Sequence, residues 1–157
     1  IKEYYMNHKI NKYIIDKLSE LDWQDKELTK SSKISQGQVS KLKKGLVKRL
    51  SAQTFYLITK AFNDSVSNST KIIYPNQKFI LKEWTPKKRN NFGNLMSQHE
   101  VSRNSIEEIS ARTGIKESRL YDLYFRKGAL DAYELILIEK ALGKKAGELF
   151  EVLYGRP

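Results

Sequence analysis

The sequence predicts an all-α chain of two small helical bundles, over 1–70 and 91–157, with a short β-hairpin and a basic linker over 71–90 between them. Three observations predict it. Apolar residues recur at three- and four-residue spacing along most of the 157 positions. The first half returns in the second: Leu28, Ile34, Val39 and Leu42 reappear 81 residues on as Ile109, Ile115, Leu120 and Leu123. Leu50, Ala52, Leu57, Ile58, Lys60 and Ala61 reappear 80 residues on as Leu130, Ala132, Leu137, Ile138, Lys140 and Ala141. Two copies of a unit of about 80 residues are too few and too long for a solenoid. The third observation is composition. Hydrophobic residues make up 39% of the chain, enough for cores, and cysteine is absent, which excludes disulfides and thiolate chemistry.

The elements follow in order. Tyr4, Ile10, Ile14, Leu18 and Leu21 predict a first helix over 3–21, widened on its apolar face by Tyr5, Met6 and Tyr13. Asp22 or Gln24 can cap a short second helix carrying Leu28, and Trp23 packs at that junction. Ser35 opens a third helix, and S-x-x-Q from Ser35 to Gln38 has the spacing of a capping box. Ser51 caps a fourth, whose stripe is Phe55, Ile58 and Phe62, with Asn63 as a left-handed end. DSVSNST is a loop, and the β-branched and aromatic runs 71–74 and 78–84 around Pro75 read as the hairpin. In the second half Phe92, Leu95 and Met96 fit a first helix. Ser105 with Glu108 forms a capping box, Asp131 caps the next long helix, and Gly143 stops it.

The stretch QDKELTKSSKISQGQVSKLKKG, from Gln24 to Gly45, carries the chemistry. Val39 and Leu42 put one apolar stripe on the third helix, while Gln36, Gln38, Ser40, Lys41, Lys43 and Lys44 face the other way. Amides suit base edges and ammonium groups suit phosphates. The spacing of Leu28, Ile34, Val39, Leu42 and Gly45, continued into KRLSAQTFYLITKAFN, resembles the helix-turn-helix of lambda-repressor-like (Xre-type) DNA-binding domains. SIEEISARTGIKESRLYDLYFRKG resembles the same motif a second time. Two departures stand out in the first copy. The glutamine that usually opens the first motif helix and touches phosphate falls on Asp25, with Gln24 one residue early; the usual turn glycine is Lys33.

The resemblance implies roles residue by residue. Base contacts fall on Gln36, Gly37, Ser40 and Lys41, with Gln38 beside them. Gln36 suits adenine N6 and N7, and Lys41 suits guanine O6 or N7. Phosphate contacts fall on Gln24, Lys43, Lys44, Lys48 and Arg49. The linker run Lys87, Lys88 and Arg89 has the composition of a minor-groove arm, and equally of a solvated hinge. In the second copy the base-facing places are Glu117, Ser118, Tyr121 and Asp122. Ser118, Arg119 and Tyr121 are its candidate DNA contacts, and Tyr121, Tyr124 and Phe125 its core or interface aromatics. Arg112, Arg126 and Lys127 add cations there.

Charge supports a polyanionic partner. Residues 1–90 hold 19 Lys and Arg against 8 Asp and Glu; residues 91–157 hold 10 against 10. The whole net charge of +11 therefore lies in the first half. The expectation is a sequence-specific DNA-binding transcriptional regulator, a repressor by occupancy, of prokaryotic or mobile-element type, acting on double-stranded DNA and able to dimerise. One rival is an antitoxin-type or other protein-interaction module that also binds DNA, its partner held by the second domain. Another is a non-specific nucleic-acid-binding protein. No catalytic constellation is visible: His8 and His99 lack metal-ligand spacing, Glu107 and Glu108 are adjacent on a helix, and no phosphate-cradling glycine loop occurs. No enzyme activity, metal or cofactor is expected. No apolar run has the roughly 20 residues a membrane span needs, and IKEYYMNHKINKY has no signal-like core, so cytoplasm is the expected location.

Overall fold

In the computed structural model, residues 6–85, 88, 91–92, 104–126 and 128–155 are described. Among them the chain is all-helical, with nine helices: α1 Ile10–Leu21, α2 Asp25–Ser32, α3 Gln36–Lys43, α4 Ala52–Ala61, α5 Val66–Ile73, α6 Ile106–Thr113, α7 Glu117–Phe125, α8 Ala132–Ala141 and α9 Glu148–Tyr154. None of them is long and apolar enough to cross a membrane. The first helix begins at Ile10, later than expected, and Leu21 stays exposed while Tyr13 takes a fully buried place. Tyr4 and Tyr5, and Leu95 and Met96 of the second half, lie outside the described residues.

Helix ends form where short polar side chains can satisfy the first N–H groups. Ser35, Ser51, Ser65 and Ser105 each accept a hydrogen bond from the N–H three residues on. Capping boxes close around Gln24 with Glu27 and around Asp131 with Glu134. At Ser35 the serine makes its cap to Gln38 N–H, at 3.2 Å. Glu108 reaches back to the N–H of Asn104, one residue beyond Ser105. α9 starts differently: buried Glu139 accepts the N–H groups of Gly147 at 2.9 Å and Leu149 at 2.7 Å.

Helix α1 lies across α3 and α5, α2 against α3 and α4, and α4 against α5. Their core is filled by Ile10, Tyr13, Ile14, Leu28, Val39, Leu42, Phe55, Ile58 and Ile73, with Phe62 set 5.8 Å from the rings of both Tyr13 and Trp23. The same core continues into the second half. Ala132, Leu135, Ile136 and Phe150 belong to it, because α4 packs on α8 and on α9. A smaller core of Ile109, Ile115, Leu120 and Ala141 lies where α6 meets α7 and α8. Leu123, the fourth residue of the repeated stripe, is only half-buried.

The expected hairpin is absent, since no strand forms among the described residues. Residues 66–73 are helical, and 78–85 runs without regular structure. Ser65 caps the N-terminus of α5, and Val66, Ser69 and Ile73 share its buried face, so packing overrides the β-branched composition. The segment after it is tied down by Lys82 N–H to the Arg112 carbonyl at 2.7 Å and by Leu81 against the smaller core.

Positions one repeat apart adopt the same unusual backbone. Asn63 and Gly143 both have positive φ after α4 and α8, at 54° and 69°. Lys33 and Gly114 both end their helices left-handed, at φ 62° and 79°. Glycine fits that conformation without strain; lysine does not. We predict that Lys33→Gly raises stability by about 1 kcal/mol in urea unfolding, and an unchanged or lower midpoint would mean the helix end relaxes elsewhere. Phe150→Ala should cost about 3–5 kcal/mol and keep far-UV dichroism and tryptophan fluorescence in one transition. Two separated transitions in the parent chain would show that the shared core does not couple the halves.

Candidate nucleic-acid interface

The candidate reading surface begins with α3. Val39 and Leu42 are both 0% exposed, which at about 1.5–3 kcal/mol each fixes the rotation of this short helix. Gln36, Gly37 and Lys41 are then exposed by geometry, and Gln38 and Ser40 are half-buried on its flanks. A Cβ built on Gly37 would meet nothing within 4 Å, so glycine leaves the helix surface low without being sterically required. Gln24 is exposed at the start of α2. With Gln36, Trp23, Ile15, Lys26 and Lys43 it lines an open groove of about 800 Å³ between the two helix N-termini.

The cations sort into two groups. Lys41, Lys44, Lys48 and Arg49 are exposed around the C-terminal end of α3 and the loop after it. Lys43 is not available as expected: its ammonium is 2.8 Å from Asp25 Oδ1, with both side chains about a third exposed. Asp25 stands where the resembled family places its phosphate-touching glutamine, so Lys43 neutralises a carboxylate that would otherwise repel a phosphate. Of the basic linker only Lys88 is described, and it is exposed; Lys87 and Arg89 lie outside the described residues.

A second basic concavity was not anticipated from the sequence. Asn7, His8, Lys9, Asn11 and Lys12, before and in the first turn of α1, meet Gly45, Val47 and Lys48 around a cavity of about 630 Å³. Tertiary contact makes it: His8 Nε2 lies 3.0 Å from the Lys48 carbonyl, and the rings of His8 and Tyr74 meet edge to face. Gly45 takes φ 73° here, and Asn11 would be 3.4 Å from any Cβ added to it. Lys9 and Lys12 thus join the cations of the loop after α3. Nothing local in the sequence marks them, since only the fold brings residues some 36 apart together.

The corresponding surface of the second half is built otherwise. Arg119, a candidate DNA contact, is turned inward. Its Nε and Nη2 donate to the two carboxylate oxygens of Glu134 at 2.9 and 2.8 Å, and Nη2 also to the Ala129 carbonyl. Glu134 is 2% exposed, so this bidentate pair holds α7 onto the start of α8. Arg112 donates to the Ala141 carbonyl at 2.7 Å, and Arg126 pairs with Asp122 at 3.2 Å. Lys127 lies outside the described residues. Ser118, Glu117 and Tyr121 are exposed. Tyr124 and Phe125, read as core or interface aromatics with Tyr121, form with it an exposed cluster, at 54%, 53% and 73% for Tyr121, Tyr124 and Phe125. The ring centroids lie 5.8 Å (Tyr121–Phe125) and 6.0 Å (Tyr124–Phe125) apart. They stay outside because Leu120 alone of α7 is fully buried.

Comparison with protein-family models, with curated proteins and with solved structures gives no match.

Burial holds the pKa of His8 below its ordinary value, against the opposing pull of the Lys48 and Val47 carbonyls and with Lys9 adding to the depression. The folded chain therefore binds fewer protons at His8 than the unfolded chain once pH drops below the ordinary histidine value. Its contribution is complete above about 6.5 and declines as pH falls from there to the folded-state value. We predict a falling urea midpoint between about pH 7 and 5.5 that His8→Gln flattens; an unchanged slope in the variant would assign the effect elsewhere.

Proposed function

We propose that the chain is a sequence-specific DNA-binding transcriptional regulator, a repressor by occupancy, built on two lambda-repressor-like helix-turn-helix bundles. One observation carries this reading. A short helix, locked in rotation by Val39 and Leu42, presents Gln36, Gly37 and Lys41 outward within a ring of exposed cations. Lys44, Lys48 and Arg49, joined by Lys9 and Lys12, clamp phosphates; Gln36 and Lys41 read base edges in the major groove. Gln24 anchors the backbone across the groove between α2 and α3. Lys43 acts indirectly, by neutralising Asp25. Bound protein then excludes polymerase from the site.

A second reading rests on a different observation. The exposed trio Tyr121, Tyr124 and Phe125 is the kind of surface that anchors a protein partner, as the antitoxin half of a pair would need. It is compatible with DNA reading by α3, and co-purification of a small partner would favour it. Purely charge-driven attachment is the remaining rival, and it predicts equal affinity for unrelated duplexes.

The deciding experiment is selection of the intact chain on a pool of random duplexes at near-physiological salt. Enrichment of a motif is expected, and binding without enrichment overturns sequence reading. Lys41→Ala should then cost about 1–3 kcal/mol on the enriched site and relax the preference at one base pair. Undiminished affinity would mean that α3 is not the reading helix.

A further inference from the structure

Residues that match in the sequence repeat also meet in space. The Ala52 N–H donates to the Leu130 carbonyl at 2.7 Å, and the Ala132 N–H donates to the Leu50 carbonyl at 2.9 Å. The two bonds form an antiparallel bridge centred on Ser51 and Asp131. Leu50 with Leu130, Ser51 with Asp131, and Ala52 with Ala132 are each separated by the same 80 positions. Reciprocal contact of like with like is what a twofold axis produces, and it is how two identical subunits pair.

The flanks of the bridge keep the relation only in outline. On one flank α9 lies on α4, with Phe150 centred 5.4 Å from Phe55 and 6.3 Å from Tyr56. The Tyr56 hydroxyl donates to Glu151. On the other flank α5 faces α8 across a cavity of about 370 Å³ bordered by Val66, Thr70, Tyr74, Phe79 and Ile136. Ser69, small and buried, stands 81 residues before Phe150, so the two flanks differ in the residue they offer at that place. The surface through which one such bundle would pair with a second copy of itself is already occupied, by the other half of the same chain.

The two faces so paired are unequal. Lys41, Lys44, Lys48 and Arg49 are exposed around α3, in the part of the chain, residues 1–90, that holds the whole net positive charge, whereas beside α7 Lys116 is the exposed cation that opens the helix. On the α7 side Arg112, Arg119 and Arg126 are each engaged within the chain, and Glu117 is exposed.

We infer that the chain is an internal pseudo-dimer: a single chain is the DNA-binding unit, and its target is asymmetric, with base preference confined to the half under α3. This rests on the DNA reading proposed above. It removes the need for a second chain, and it gives the exposed α7 face no part in base discrimination.

The test is the mass of the complex between the intact chain and a duplex carrying the site enriched from the random pool. The expected result is one chain per duplex on a non-palindromic site. Gln36→Ala should lower affinity by about 5- to 150-fold and loosen only one half of the site, while Ser118→Ala leaves affinity within about twofold. Both positions are exposed, so neither change threatens folding. Two chains on a palindrome would overturn this inference and leave reading by α3 standing. A single chain on a symmetric site, with Ser118→Ala as costly as Gln36→Ala, would overturn the asymmetry. Failure to enrich any site would remove the DNA reading, and this inference with it.

Discussion

The structure depends on how the N-termini of α4 and α8 are satisfied. A helix begins with N–H groups that have no partner inside it, and burying such an end is costly unless other groups accept from it. Here the two ends sit side by side, and each hands one N–H to the carbonyl preceding the other. Ser51 and Asp131 cap the next N–H groups along. With the polar accounting closed, Ala52 and Ala132 can be fully buried, and the apolar faces of α4, α8 and α9 close over them. The orientation of both candidate surfaces follows from that seam, because α2, on which α3 packs, is braced on α4, and α7 is pinned to α8 through Arg119 and Glu134.

Charge placement divides the molecule more sharply than its packing does. The core runs from α1 through to Phe150, but the cations do different work on the two sides. Around α3 Lys41, Lys44, Lys48 and Arg49 are exposed and Lys43 is tied to a carboxylate, that of Asp25; at such a surface the cost of clustering is low and a polyanion can relieve it. Around α7 Arg119 ties the helix to the buried carboxylate of Glu134 and to the Ala129 carbonyl, and Arg112 binds the helix-end carbonyl of Ala141, uses to which planar forks with several donors are suited. Residues 1–90 hold 17 lysines and 2 arginines, residues 91–157 five of each, so the arginines are concentrated in the second half.

Local features of the sequence were legible because they depend on neighbours in the chain. The stripe of Val39 and Leu42, the cap at Ser35 and the left-handed Asn63 all follow from spacing and backbone sterics, and each is present; Lys33, where the resemblance places a turn glycine, does take positive φ. What could not be read was set by contacts distant in sequence. The 66–73 helix was hidden because DSVSNST reads as a polar loop and 71–74 as a strand, until packing on α1 and α4 was known. Lys43 looked like a free cation because Asp25 lies 18 residues away, and Arg119 looked like a contact because the burial of Glu134 is a tertiary fact. Lys9 and Lys12 carried no signal at all before α1 was seen to begin beside the loop after α3.

The seam between the halves joins two parts of one polypeptide, and that changes how it responds to dilution. A pair of separate subunits comes apart as protein becomes scarce, so its active fraction rises with a power of concentration above one. A covalently linked pair faces a fixed local concentration set by the connection between its halves. Dilution cannot dissociate it. Any ligand of the joined molecule would therefore see occupancy rise along a simple saturation curve, graded from the first few copies, where a dissociable pair would hold back until a threshold was passed.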